Sequence, residues 1–229
     1  MNKSLVLAAG LAILATSSFA QTQVLSRNAV GYVKIDAVRS NFYYIANNFF
    51  SLDGANVPIT VTNLLGQQVP AGTLVNVWDP VAQTYRPENK IGTAWFPGTN
   101  RLFPGRGFWI KIPNNAPSNS YAVYLMGEVP DKNTLPTNTA TVLPGFNAIA
   151  NPYPTSMRFT NSVVAKSGVA GDIAIFWNPN NQTYGGQENR IGSTWFPGTN
   201  MLIPGQGFWY KSIRSTNFTW IEPKPYTWP

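Results

Sequence analysis

The chain has no cysteine and no histidine among its 229 residues. Without thiols there is no disulfide framework and no cysteine to carry a lipid at a processing site. Without imidazole, the commonest general base and nearly every zinc site are excluded. Charge is also scarce, at 11% of residues. The carboxylates number nine, namely Asp36, Asp53, Asp79, Asp131, Asp172, Glu88, Glu128, Glu188 and Glu222. They form no Asp-x-Asp-x-Asp loop for calcium, so neither a metal nor a cofactor is expected. The most apolar stretch, Leu5 to Ala15, falls short of the ~20 residues of a membrane-spanning helix. Sustained ten-residue alternation, the mark of an outer-membrane barrel, is missing as well.

Basic residues outnumber acidic ones, 16 to 9. They stand singly, as at Lys34, Arg39, Arg86, Lys90, Arg101, Arg106 and Lys111, without a run of three. A nucleic-acid track needs clustered cations, so no nucleic acid is expected as partner. What the excess does suggest is weak attraction to anionic envelope polymers.

Residues 1–20 carry the marks of a cleaved signal peptide. Lys3 gives the positive start, Leu5 to Ala15 the short apolar core, and Ser18-Phe19-Ala20 a small-x-small cleavage site, so the mature chain is expected to begin at Gln21. The product would be exported to the periplasm, the outer cell surface or the medium, with no membrane span in the mature chain.

The most informative feature is an echo. Glu88 to Lys111 reads ENKIGTAWFPGTNRLFPGRGFWIK, and Glu188 to Lys211 reads ENRIGSTWFPGTNMLIPGQGFWYK, identical at 17 of 24 positions. Likeness of that length marks a tandem duplication. Other segments also pair, Ile45-Ala46-Asn47 with Ile149-Ala150-Asn151, and Ala71 through Trp78 with Ala170 through Trp177. The changing offset places gaps between the second and third strands and again near Arg86, which read as surface loops. The expected organisation is a signal peptide (1–20), a first β repeat (21–130), a linker (131–138) and a second β repeat (139–229).

Nineteen prolines and nineteen glycines, with no amphipathic helical period after the leader, predict an all-β chain of short strands joined by turns. The expected architecture is two tandem, similar antiparallel β units, each a small sandwich or barrel, about a pseudo-two-fold axis. Strands are predicted from Ala29 to Ile35, Phe42 to Ala46, Thr73 to Trp78, Gly107 to Ile112 and Tyr121 to Gly127. Their counterparts are Thr139 to Val142, Phe146 to Ala150, Asp172 to Trp177, Gly207 to Ile213 and Phe218 to Glu222. The third strand is mostly apolar on both faces in both copies, as in a strand packed on two sides. Pro104-Gly105 and Pro204-Gly205 suit the centre of type II turns. Gly107 and Gly207, lacking a Cβ, would let a backbone or an aromatic ring come close.

Three functions follow from these residues. The first is an exported, non-enzymatic envelope or cell-surface protein with a structural or adhesive role, meeting envelope polysaccharide, other surface proteins or copies of itself. The second is a carbohydrate-binding module. Its candidate ligand-binding residues are Trp95, Phe96, Trp195 and Phe196 in the repeated loops, with Trp109, Trp209, Lys111 and Lys211 on the strands. The same aromatics could instead fold inward and plug each unit; solvent exposure of Trp95 and Trp195 separates the two. The third is glycoside hydrolysis by Glu88 and Glu188 meeting across the pseudo-two-fold axis. Both glutamates open the motif in what reads as a loop, where a carboxylate more often caps a turn, so no catalytic residue is assigned.

The order of motifs carries a resemblance. Asn28-Ala29-Val30-Gly31-Tyr32-Val33 follows the leader; Phe42 to Asn47 and Gly145-Phe146-Asn147-Ala148-Ile149-Ala150-Asn151-Pro152 come next, and Pro-Gly-x-Gly-Phe-Trp falls late in each half. The chain thereby resembles exported tandem β-repeat proteins of verrucomicrobial-type bacteria, for which no biochemical function is established. The GFNAIANPYP segment also looks like a piece of large secreted proteins of Bacteroidetes-type bacteria. The likeness implies a repeated β scaffold and supplies no catalytic or binding residue. Arg106 and Gln206 depart from the acidic residue usual at that place.

Overall fold

The computed structural model describes residues 29–53, 57, 59–130 and 137–226. The expected signal peptide and residues 131–136 of the expected linker lie outside them. The first repeat runs β1 (Val30–Val38), β2 (Phe42–Ala46), β3 (Ile59–Thr60), a helix Val61–Leu65, β4 (Leu74–Asp79), β5 (Thr84–Ile91), β6 (Ala94–Phe96), β7 (Arg101–Leu102), β8 (Gly107–Lys111) and β9 (Ser120–Glu128). The second repeats this order with β10 (Thr137–Val142), β11 (Gly145–Ala150), β12 (Met157–Arg158), a helix Val163–Lys166, β13 (Ile173–Asn178), β14 (Thr183–Ile191), β15 (Thr194–Phe196), β16 (Met201–Leu202), β17 (Gly207–Ser212) and β18 (Phe218–Pro223). The fold is all-β, as the turn-rich composition predicts, with the two short helices as additions.

Each repeat is built on one antiparallel sheet of five strands, in the order β2-β8-β4-β5-β6 and β11-β17-β13-β14-β15. Alternation sends Tyr43, Ile45, Val75, Phe108 and Ile110 into the repeat's own core, which the β1–β9 ribbon closes with Ala37, Val123 and Leu125. In the second repeat Ile149, Ala174, Phe176, Phe208 and Tyr210 do the same beneath Val142 and Trp220 of the β10–β18 ribbon. The short helices plug the cores, with Thr60 and Ser162 accepting from the N–H groups of Asn63 and Ala165 as N-caps.

The opposite faces of the two sheets meet, which is why the third predicted strand is apolar on both sides. Between them lie Tyr44, Trp109, Ala148 and Trp209, ringed by Phe42, Trp78, Phe146, Ile175 and Trp177. The seam is two-fold in its details. Ala46 N–H donates to Gly205 O at 3.1 Å, and Ala150 N–H to Gly105 O at 3.0 Å. Trp78 Nε1 donates to Phe146 O at 2.8 Å, and Trp177 Nε1 to Phe42 O at 3.0 Å.

Glu88 and Glu188, expected in loops, lie instead within the strands β5 and β14. The gap expected as a loop near Arg86 is likewise inside a strand. Gly185 is the extra residue, and the register of β13 on β14 shifts between Phe176 and Trp177. A bulge absorbs one residue without breaking the sheet.

Candidate functional site

The duplicated motif is the starting point. Phe103 O accepts from Arg106 N–H at 3.1 Å around Pro104-Gly105, with Gly105 at φ 80°, and Ile203 O from Gln206 N–H at 3.1 Å around Gly205 at φ 79°. These are the expected type II geometries. The turns deliver Gly107 and Gly207 to the middle of the seam. A Cβ on Gly107 would stand 3.3 Å from Gly207 Cα and 3.0 Å from the Tyr44 ring; one on Gly207 would stand 3.1 Å from Gly107 Cα and 3.2 Å from the same ring. Tyr44 therefore occupies the middle alone, stacked on Trp109 at 4.5 Å and tilted against Trp209 at 5.4 Å. Its counterpart Ala148 leaves that space free.

The candidate ligand residues divide by place. Trp95 and Trp195 are 5% and 4% exposed and sit in the two cores. Their indole N–H groups donate to Gly66 O at 3.2 Å and Ala165 O at 2.8 Å, carbonyls at the ends of the short helices. They fill the plug role, and no indole face is open for a sugar. Trp109 and Trp209 are buried in the seam. Lys111 and Lys211 lie over the rings of Phe42 and Phe146 at 4.8 and 5.4 Å, a cation–π contact that explains the shared lysine. Phe96 and Phe196 are the exposed members of the set, at 53% and 50%.

Glu88 and Glu188 are both fully buried, and each organises the loop of its own repeat. Glu188 accepts from the N–H groups of Gly198, Thr199 and Asn200 and from Asn200 Nδ2. Glu88 accepts from Asn100 N–H at 2.6 Å, while its Oε2 is buried without a hydrogen-bond partner. Burial pushes the Glu88 carboxyl above its ordinary value, offset in part by the loop amides. A raised value means that Glu88 contributes stability that is complete below the unfolded value near 4.5 and is lost as pH rises through the folded one. Glu188→Gln is expected to cost about 2–3 kcal/mol, because its NH2 group would face the Gly198 N–H that Oε2 accepts from. Glu88→Gln should stay within about 1 kcal/mol of the parent at neutral pH, since the replaced oxygen has no bond to lose. Urea unfolding of the two variants checks the contrast; equal losses would contradict it.

Sequence reasoning missed Gln83 and Gln182. Each lies at positive φ, 51° and 55°, after an Asx-Pro turn in which the Asp79 and Asn178 side chains accept backbone N–H groups. Gln182 Oε1 accepts from Phe42 N–H at 2.7 Å and its Nε2 donates to Phe42 O at 3.1 Å; Gln83 treats Phe146 the same way at 2.9 and 3.0 Å. Each glutamine amide imitates a peptide group on the edge strand of the other repeat. The signal was available, since Gln-Thr-Tyr occurs at the same place in both copies.

Two clefts also correspond. One of about 430 Å³ opens beside Trp78, Asp79, Arg86, Asn100, Arg101 and Arg106. Its counterpart of about 380 Å³ opens beside Trp177, Asn178, Gly186, Asn200, Met201 and Gln206. In the first cleft Arg86 pairs with Asp79, whose carboxyl is held below its ordinary value, first by the Ala82 N–H and also by Arg86. Among the described residues no cluster of three or more metal-ligating side chains occurs, and no helix is long and apolar enough to cross a membrane. No protein-family model, curated protein or solved structure matches the chain.

Proposed function

We propose that this is an exported, non-enzymatic protein of the bacterial envelope or cell surface, with a structural or adhesive role. One observation carries the reading: both repeats expose the same apolar pair at the same place, Ile91 with Phe96 and Ile191 with Phe196, at 63%, 53%, 62% and 50%. The pairs sit on hairpins β5–β6 and β14–β15, whose short outer strands end the two sheets. At the other end of each sheet, β2 and β11 are covered by the glutamine of the opposite repeat. The molecule thus presents two equivalent apolar sheet ends, an arrangement suited to joining like units or a surface layer.

The leader-like N-terminus supports export, as does the resemblance to exported tandem β-repeat proteins. The motif residues hold turns, cores and the seam together, which supports a scaffold over a reaction. The mature chain should associate as its concentration rises, and Ile91→Lys with Ile191→Lys should suppress that association in sedimentation velocity. A parent chain that stays monomeric throughout would contradict the assembling role.

A further inference from the structure

Duplication leaves two clefts that began alike, and they have diverged in one property. Trp78 matches Trp177 and Asn100 matches Asn200, whereas Asp79, Arg86, Arg101 and Arg106 stand where the copy has Asn178, Gly186, Met201 and Gln206. Three arginines against one aspartate leave the first cleft a surplus of two positive charges; the second is lined by no charged residue. The scaffold does not require these arginines, because the second repeat makes the same turn and strands with methionine and glutamine in place of two of them.

We propose that the cleft of the first repeat binds the acidic group of an anionic polysaccharide, a carboxylate or sulfate carried on a sugar ring. Arg101 and Arg106 have no ion-pair partner among the described residues, and a guanidinium fork matches either group with two parallel hydrogen bonds. Burial presses the Arg106 guanidinium below its ordinary value, so an anion there relieves a poorly solvated charge. Arg86, fixed by Asp79, borders the same space. Trp78 and Phe103 give the cleft apolar wall, while Asn100 and Thr99 offer an amide and a hydroxyl for ring hydroxyls. The volume suits a compact ligand, and a nucleic acid would need a longer cationic track than one cleft supplies. Glu88 stands behind Asn100 and is engaged with its N–H.

The inference rests on the adhesive reading for its biological setting and names the class of surface met. Its test uses another measurement, so either can fail alone. The purified mature chain is titrated by calorimetry with oligogalacturonate, a sulfated oligosaccharide, neutral maltoheptaose and a single-stranded oligonucleotide. Binding of the carboxylated or the sulfated sugar is expected, weakening with added salt, and which of the two binds identifies the group. Arg101→Met with Arg106→Gln, the residues of the second repeat, should lower affinity at least about tenfold. If the double variant unfolds, exposed Arg101→Met alone should still weaken binding. Equal binding of maltoheptaose, stronger binding of the oligonucleotide, no binding of either acidic sugar, or unchanged affinity in a folded variant would overturn the proposal.

Discussion

Alanine at both Gly107 and Gly207 is expected to destabilise the protein by more than the two single changes together. A Cβ at either position meets the other glycine's Cα at 3.1–3.3 Å and the Tyr44 ring at 3.0–3.2 Å. A backbone carbonyl also lies within reach of each, Ile149 O at 3.2 Å and Ile45 O at 3.1 Å. Two of the three neighbours are backbone, and the third is a ring clamped between Trp109 and Trp209, so little can yield. A single alanine should cost about 1–3 kcal/mol, the range for overpacking. With both present, each new methyl meets a partner that has also grown, and the excess appears as coupling in a double-mutant cycle. Urea unfolding supplies the four stabilities. Strict additivity would mean that the glycines do not face each other.

Trp209→Ala should be the most damaging single change, at about 3–5 kcal/mol. The indole packs against Tyr44, Trp78, Tyr85 and Phe146, with centroids 5.4, 5.0, 6.2 and 5.8 Å away. Three of these rings belong to the first repeat, so the cavity opens between the sheets. The loss should therefore loosen both repeats at once, seen as a lower midpoint for one shared thermal transition. A loss confined to the second repeat, with part of the chain melting as before, would contradict the packing described.

Much of this was legible in the sequence, for local reasons. Pro-Gly pairs report φ directly, and a glycine opening an aromatic strand reports a close approach; Pro104-Gly105-Arg106-Gly107 therefore reads correctly as a turn leading into a contact. Two apolar faces on Leu74 to Trp78 correctly signalled a strand covered on both sides. β5 was illegible because Thr-Tyr-Arg-Pro-Glu-Asn-Lys-Ile has little strand character of its own. Its inward residues are Glu88 and Lys90, made tolerable by loop amides and by the Gly66 and Val69 carbonyls that the lysine reaches at 2.9 and 2.7 Å. The direction of the tryptophans was equally hidden, since a plug and a platform share composition and differ only in what lies opposite. The charge difference between the clefts was present in the residues. It became a feature only when the fold gathered Arg86, Arg101 and Arg106 around one space.

The duplicated motif fastens the two repeats into one block. The direct measurement is oxidation of tryptophan by N-bromosuccinimide across a urea series, mapped by mass spectrometry. Trp95, Trp109, Trp195 and Trp209 should resist oxidation in the native chain and lose protection together in one transition. Oxidation of Trp109 and Trp209 while Trp95 and Trp195 remain protected would show repeats that fold alone and separate freely, and would contradict it.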